Sequence, residues 1–328
     1  MTSEVLARPT VVRIHGLRVA ASVALPGLPP SSAATADVEV ELVDRLPRPV
    51  AVRPRYRAGT AADPTSRVDI TEGTDGRMHF RYGDGTALDV EHTSRPATIR
   101  AVIAPGQTLE DLSAYLYGPV LGFILRAWGR LALHASCVRI GEAAVLIAGP
   151  SGSGKSTTAA ALATRGSRVL SDDLTALDFR DDGQVQAWPA FDHLRLWPDA
   201  ERIVLGDVGR LERITPTWDK RRFALNGDDF EREPCPVAAI VVLGPRGARR
   251  RTVARPVTAP RAVITLATLT YANYLLDTPM RATELAQLGA LARAVPVLSV
   301  APSTDSDGVN RLCDAIVRIA SRHAPVRA

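Results

Sequence analysis

The chain has 328 residues, 46% hydrophobic and 23% charged, with a formal net charge of +5. That supports one large domain or two modest ones with a real core, and it excludes a disulfide-stapled miniprotein, a collagen-like chain or a mostly disordered tail. Only Lys155 and Lys220 among the 40 basic residues are lysine, so 38 are arginine; this reads as codon bias, and with 35 interspersed acidic residues and 5% aromatics no nucleic-acid partner is expected.

Met1 to Thr10 carries no apolar h-region, so no signal peptide is expected. Residues 1–106 predict a small, β-rich, antiparallel N-terminal domain, with strands at Val11–Ile14, Val38–Val43, Arg67–Ile70, Met78–Tyr82, Ala87–Glu91 and Thr98–Ile103 and a loop over Pro26–Ser32. A helix over 108–129 follows, opened by Thr108-Leu-Glu-Asp111 as a capping box. Residues 107–328 form the second domain.

Strands 131–139 and 143–148 flank Gly141-Glu142, a connection that only antiparallel strands can use, so the core sheet is expected to be mixed. Helix 155–165, strand 168–171 and a hairpin of Leu174–Phe179 with Val185–Trp188 come next. The stretch from 190 to about 234 reads as irregular and charged. Strand Ala238–Leu243, an arginine-rich hairpin turn over Arg246–Arg251, helices near 259–276 and 281–294, strand Val295–Val300 and a helix over 307–321 complete the chain. Cys137, Cys235 and Cys313 show no C-x-x-C spacing and read as structural thiols of a reducing compartment. No apolar run approaches the ~18 residues a membrane span needs, so a soluble, cytoplasmic protein without a membrane partner is expected.

The chemistry concentrates at 149–157. Gly149-Pro-Ser151-Gly152-Ser153-Gly154-Lys155-Ser156 fits G-x-x-x-x-G-K-[ST] and lies between an apolar strand and an alanine-rich helix. Such glycines let backbone N–H groups curl round phosphate oxygens, and the helix N-terminus adds positive partial charge. The expected nucleotide-binding residues are Gly149, Ser151, Gly152, Ser153, Gly154, Lys155, Ser156 and Thr157, with Lys155 on the β- and γ-phosphates and Ser156 on Mg²⁺. Seventeen positions after Lys155, Asp172-Asp173 ends the next strand. Paired carboxylates there can divide labour, one holding Mg²⁺ and one accepting the proton of an attacking hydroxyl. With Gly141-Glu142 as the turn, the register places His134 opposite Gly149, at the mouth of the phosphate site.

The ordered set His134-Ala-Ser, Gly-Pro-Ser-Gly-Ser-Gly-Lys-Ser, Arg165-Gly and Leu170-Ser-Asp-Asp resembles the catalytic domain of HPr kinase/phosphorylase over about residues 130–180. The resemblance implies an α/β (α+β leaning) fold related to phosphoenolpyruvate carboxykinase, with a mixed sheet, and phosphoryl transfer to a serine hydroxyl. It implies Asp172 as general base with His134 beside it, and Asp173 with Ser156 at the Mg²⁺ site. The glutamate-isoleucine-arginine-glycine signature of the bifunctional enzymes is absent; Pro189-Ala-Phe-Asp-His193-Leu-Arg195 stands in that region. Phosphorolysis, and HPr itself as substrate, therefore fall outside what the resemblance implies. The Arg13-Ile-His-Gly-Leu opening is similar instead to HPr-kinase-related proteins of peptide natural-product clusters, some of which resemble kinases of lasso-peptide precursors.

Lys220, in Trp218-Asp-Lys-Arg-Arg222, is a candidate cation for the γ-phosphate, alongside Arg221 and Arg222, with His193 and Arg195 as substrate-side contacts. The expectation is an ATP- and Mg²⁺-dependent kinase acting on a serine-type hydroxyl of a peptide or small protein. A small-molecule hydroxyl kinase and a non-catalytic nucleotide-binding regulator remain open, as does a homo-oligomer.

Overall fold

The computed structural model describes residues 10–33, 35–49, 51–60, 63–247 and 252–323. The N-terminal nine residues and Arg249–Arg251 of the arginine run lie outside them. Two compact units divide between Ile124 and Leu125.

The first unit is built on one eight-stranded sheet of β1 (Thr10–Ile14), β2 (Leu17–Ala21), β3 (Val38–Leu42), β4 (Val52–Thr60), β5 (Asp63–Gly73), β6 (Met78–Tyr82), β7 (Ala87–Glu91) and β8 (Ala97–Val102), ordered β1-β2-β3-β8-β7-β6-β5-β4. It is not wholly antiparallel: β3 lies parallel to both β2 and β8. The long loop containing Pro26–Ser32 provides the crossover that parallel pairing requires. Composition gave no sign of β4, because its Arg53, Arg55 and Arg57 pair with Glu72 and Asp69 on β5 where an apolar stripe would be expected. Its Pro54 is tolerated because β4 is an edge.

The predicted helix over 108–129 runs without interruption from Leu109 to Ala127, with a π-helical turn in its middle. The Thr108–Asp111 capping box opens α1 (Leu109–Tyr115), a π-helical turn follows over Leu116–Val120, and α2 (Leu121–Ala127) resumes. Pro119 sits in that turn; it has no N–H to donate and its ring crowds the preceding turn, so the backbone widens there.

The second unit carries a nine-stranded mixed sheet. Its strands are β9 (Leu131–Leu133), β10 (Ala135–Ile140), β11 (Ala143–Ala148), β12 (Arg168–Ser171), β13 (Thr175–Phe179), β14 (Val185–Ala187), β17 (Cys235–Leu243), β18 (Ala254–Pro256) and β19 (Val297–Val300). β10 and β11 form the expected hairpin in the expected register, Ile140 opposite Ala143 through Ala135 opposite Ala148. β11 then lies parallel to β17, and β17 parallel to β19. The arginine run does not close a hairpin: β17 and β18 both flank β19 and do not pair with each other.

Side chains alternate across β11. Val145 and Ile147 pack with α3 (Lys155–Ala163) and α7 (Gly308–His323) on one face. Ala144, Leu146 and Ala148 pack on the other with α5 (Ala259–Ala267) and α6 (Thr278–Ala294). Both faces are covered, so β11 reads as an unbroken apolar run, and each fully buried branched side chain contributes about 1.5–3 kcal/mol.

The region from 190 to 234 is ordered. β15 (His193–Leu196) and β16 (Arg221–Ala224) pair antiparallel as a small sheet of their own, joined through α4 (Pro198–Leu205). Every residue of β15 is buried, and its His-Leu-Arg-Leu alternation covers only four residues. The three cysteines are free and buried. No helix of the described residues is long and apolar enough to cross a membrane.

Candidate functional site

The site lies in the second unit, where β11 runs into the loop 149–154 and then α3. Three glycines take backbone conformations that L side chains avoid, at φ +153° (Gly149), +76° (Gly152) and +99° (Gly154). A Cβ on Gly149 would stand 2.8 Å from Ser153 Oγ and 3.1 Å from Leu243 O, so the loop closes only on glycine. Lys155 is buried, and its Nζ donates to the carbonyls of Gly149 (2.9 Å) and Pro150 (3.0 Å). Burial lowers its pKa and Lys220 pushes the same way, while Asp173 and Asp172 oppose.

The two aspartates have separate partners. Asp172 is 3% exposed; its Oδ1 accepts from Ser156 Oγ (2.9 Å) and Ser136 Oγ (2.6 Å), and its Oδ2 from the Arg195 backbone N–H (3.4 Å). Asp173 has the left-handed φ of +68°, which turns its side chain away from that of its neighbour. His134 Nδ1 lies 2.8 Å from the Asp173 carbonyl and 3.3 Å from its Oδ1, and the Tyr271 hydroxyl donates to its Oδ2 at 3.0 Å. The partners are thus exchanged relative to the resemblance: Ser156 meets Asp172, and His134 meets Asp173. Burial works against the charge on Asp173, but His134, then Lys220 and Arg195, hold its carboxyl well below the usual carboxylate range.

His134 is not paired opposite Gly149. The predicted strand 131–139 bends at this residue, with β9 paired to β13 before it and β10 paired to β11 and β12 after it. Its backbone N–H instead donates to Leu269 O at 2.7 Å, which ties the bend to the segment carrying Tyr271.

Of the remaining expected residues, Ser151 is exposed at the loop tip, Ser153 Oγ is enclosed without a hydrogen-bond partner among the described residues, and Thr157 is buried on α3. Lys220 leads into β16, with its ammonium 5.4 Å from the centre of the Trp197 ring, within electrostatic reach of Lys155 and Asp173. Arg195 lies over the Phe191 ring at 4.9 Å. His193 is buried and pushed down to about 4, first by burial and then by Arg195 and Arg222, against Asp192. His193 is thus a neutral interior group, whose backbone partner across the ladder is Ala224.

Two site residues carried no assignment in the sequence. Ser136 lies two positions after His134, inside the His-Ala-Ser triplet of the resemblance, so its spacing was a usable signal. Tyr271 is 98 positions from Asp173, and nothing local marks it. A cleft of about 530 Å³ lined by His134, Ser151, Tyr271, Asn273 and Tyr274 opens beside them.

No protein-family model matches the chain, and no curated protein matches it. Among solved structures it is similar to the HPr(Ser) kinase/phosphatase from Coxiella burnetii, at 15% identity and a TM-score of 0.30, over 58% of this chain and 95% of that one.

Proposed function

We propose that the chain is an ATP- and Mg²⁺-dependent kinase that transfers the γ-phosphoryl group to a serine-type hydroxyl of a peptide or small protein. The observation that carries this reading is the division of the aspartate pair: one carboxylate bonded to the Ser156 hydroxyl at the start of α3, the other held by His134 and Tyr271, two side chains that line an open cleft.

The residues fit the two groups the reaction needs. Loop 149–154, with its glycine conformations and the N-terminus of α3 behind it, suits a polyphosphate. Asp172 and the Ser156 hydroxyl, 2.9 Å apart, are hard oxygen donors. The described residues contain no cluster of three or more acidic, His or Cys ligands, which accords with a cation bound through one carboxylate, water and substrate phosphates. When bound, Mg²⁺ would neutralise charge on the phosphates.

Lys155 would exchange its carbonyl partners for β- and γ-phosphate oxygens, and Lys220 would add a second cation on the same side. Asp173, ionised and fixed by His134 and Tyr271, would orient the acceptor hydroxyl and take its proton. A strongly basic group is not required, because phosphoryl transfer depends chiefly on positioning and charge neutralisation. The test compares Asp172→Asn with Asp173→Asn against a panel of serine-containing peptides, reading the gain of one phosphate by mass spectrometry. Asp172→Asn should raise the Mg²⁺ concentration needed for half-maximal rate at least tenfold, and Asp173→Asn should collapse the maximal rate with little change in Mg²⁺ demand. Equal effects of the two on both parameters would refute the division, and phosphate gain by no peptide while free serine or a sugar is phosphorylated would move the acceptor to a small molecule.

A further inference from the structure

The arginine run 246–251 plays no part in the reading above, yet its first member stands over the phosphate loop. A Cβ built on Gly154 would lie 2.9 Å from Arg246 Nη2, so the guanidinium occupies the space a side chain at 154 would need. Arg311, on the helix that follows the 301–306 turn, is paired with Asp305 and Asp307. Arg246 has no ion pair or hydrogen bond among the described residues. A cation with no partner among the described residues, beside a loop built for anions, is placed for a ligand.

Its position is built. Arg246 follows β17, and the turn is tied to the segment after β19 by Gly244 N–H to Val300 O (2.8 Å), Gly247 N–H to Pro302 O (3.0 Å) and Thr304 N–H to Gly247 O (3.1 Å). β11, β17 and β19 are parallel, so the phosphate loop, the Arg246 turn and the 301–306 turn leave the same edge of the sheet. Ligands of α/β sheets bind outside the carboxyl ends of such strands. Between these turns and α3 lies a cleft of about 170 Å³, below the ~300–1,000 Å³ of drug-sized pockets. Arg246 and Thr157 give it polar groups; Ile203, Pro302, Val309 and Leu312 give it apolar walls. Ile203 is 47% exposed, a large apolar side chain facing water.

We infer that this cleft takes the nucleoside end of the triphosphate, with Arg246 on the α-phosphate and the apolar walls against the base. The inference rests on the nucleotide reading of the phosphate loop and extends it. The geometry supports it in a second way: the cleft adjoins the Gly154–Thr158 side of the loop, while the cleft of His134 and Tyr271 adjoins Pro150 and Ser151. In-line transfer needs leaving and attacking oxygens on opposite sides of the phosphorus, and clefts against different stretches of one loop give the nucleoside and the acceptor separate places.

The test measures binding of ATP and of inorganic tripolyphosphate, each with Mg²⁺, to the full chain by calorimetry. Tripolyphosphate fills the loop but carries no nucleoside. Wild type should bind ATP at least tenfold more tightly than tripolyphosphate. Ile203→Glu should remove most of that preference and leave tripolyphosphate affinity within twofold, while Arg246→Ala should weaken ATP about tenfold. Both side chains are exposed, so the variants should melt with the wild type. Equal wild-type affinity for the two ligands, an ATP preference unmoved by Ile203→Glu, or an ATP affinity unmoved by Arg246→Ala overturns the cleft assignment and leaves the phosphate loop standing. Binding of neither ligand overturns both.

Discussion

Replacing His134 by alanine removes the ring that holds Asp173 in its left-handed backbone conformation. That conformation costs about 1–2 kcal/mol for a residue other than glycine. The 2.8 Å contact of His134 Nδ1 with the Asp173 carbonyl offsets about 0.5–1.5 kcal/mol of this. The Tyr271 bond to the carboxylate would contribute about 1.5–3 kcal/mol if fully buried, and less here because the Asp173 side chain is 36% exposed. In His134→Ala only the Tyr271 bond faces the strain, and the two are nearly equal. The turned-out conformer should fall from dominant to about half of the population, and the maximal transfer rate by about twofold. The KM for ATP should not move, because Lys155 and the loop glycines are untouched. The acid limb of the rate should move to higher pH. A carboxyl held below its ordinary range is active above its folded pKa and fails as pH falls through it, and His134 is foremost among the groups that lower it. The assay is phosphate gain by an acceptor peptide between pH 3 and 8. An unchanged maximal rate with an unchanged acid limb would refute the reasoning.

Gly149→Ala should abolish ATP binding in calorimetry with little loss of helix signal, because its Cβ would meet Ser153 Oγ and the Leu243 carbonyl. His193, 3% exposed and pushed down to about 4, stays neutral in the fold while the unfolded chain protonates near pH 6.5. Its contribution is therefore present above pH 6.5 and lost on acidification toward pH 4, by about 3 kcal/mol. His193→Gln should flatten urea-unfolding stability across that window, and an unchanged slope would count against it. Glu284→Ala strands the Arg126 guanidinium, which is 3% exposed and bonded to Glu284 at 2.7 Å. The expected loss is about 3–5 kcal/mol, read as a lower urea midpoint, with replacement of both partners by methionine less harmful than the single change.

Features legible in the sequence are those set by neighbours in the chain. Gly141-Glu142 allows only a hairpin, so the register of β10 on β11 followed to the residue. The spacing of Gly149, Gly154, Lys155 and Ser156 dictated a strand, a loop and a helix in that order. The capping box at Thr108 is equally local, and Pro119, eight residues before the end of α2, marks the π-helical turn inside the helix. The segment around β15, α4 and β16 is hard to read because each strand is only four residues long and the two are held apart by a long insertion.

By itself, then, the sequence determined a phosphate-type loop after an apolar strand, a mixed sheet, and a histidine with two aspartates in its vicinity. The tertiary structure decided which aspartate meets which partner. Adjacent residues share a position in the chain, but their side chains are aimed by backbone torsion. The φ of +68° at Asp173 and the bend at His134 send the two carboxylates to different neighbours. Tyr271 and Arg246 reach the site from 98 and 92 positions beyond Asp173 and Gly154, through pairings of β9, β17 and β19 that no local pattern encodes. Spacing along the chain selects the chemical groups, and the sheet order sets which of them touch.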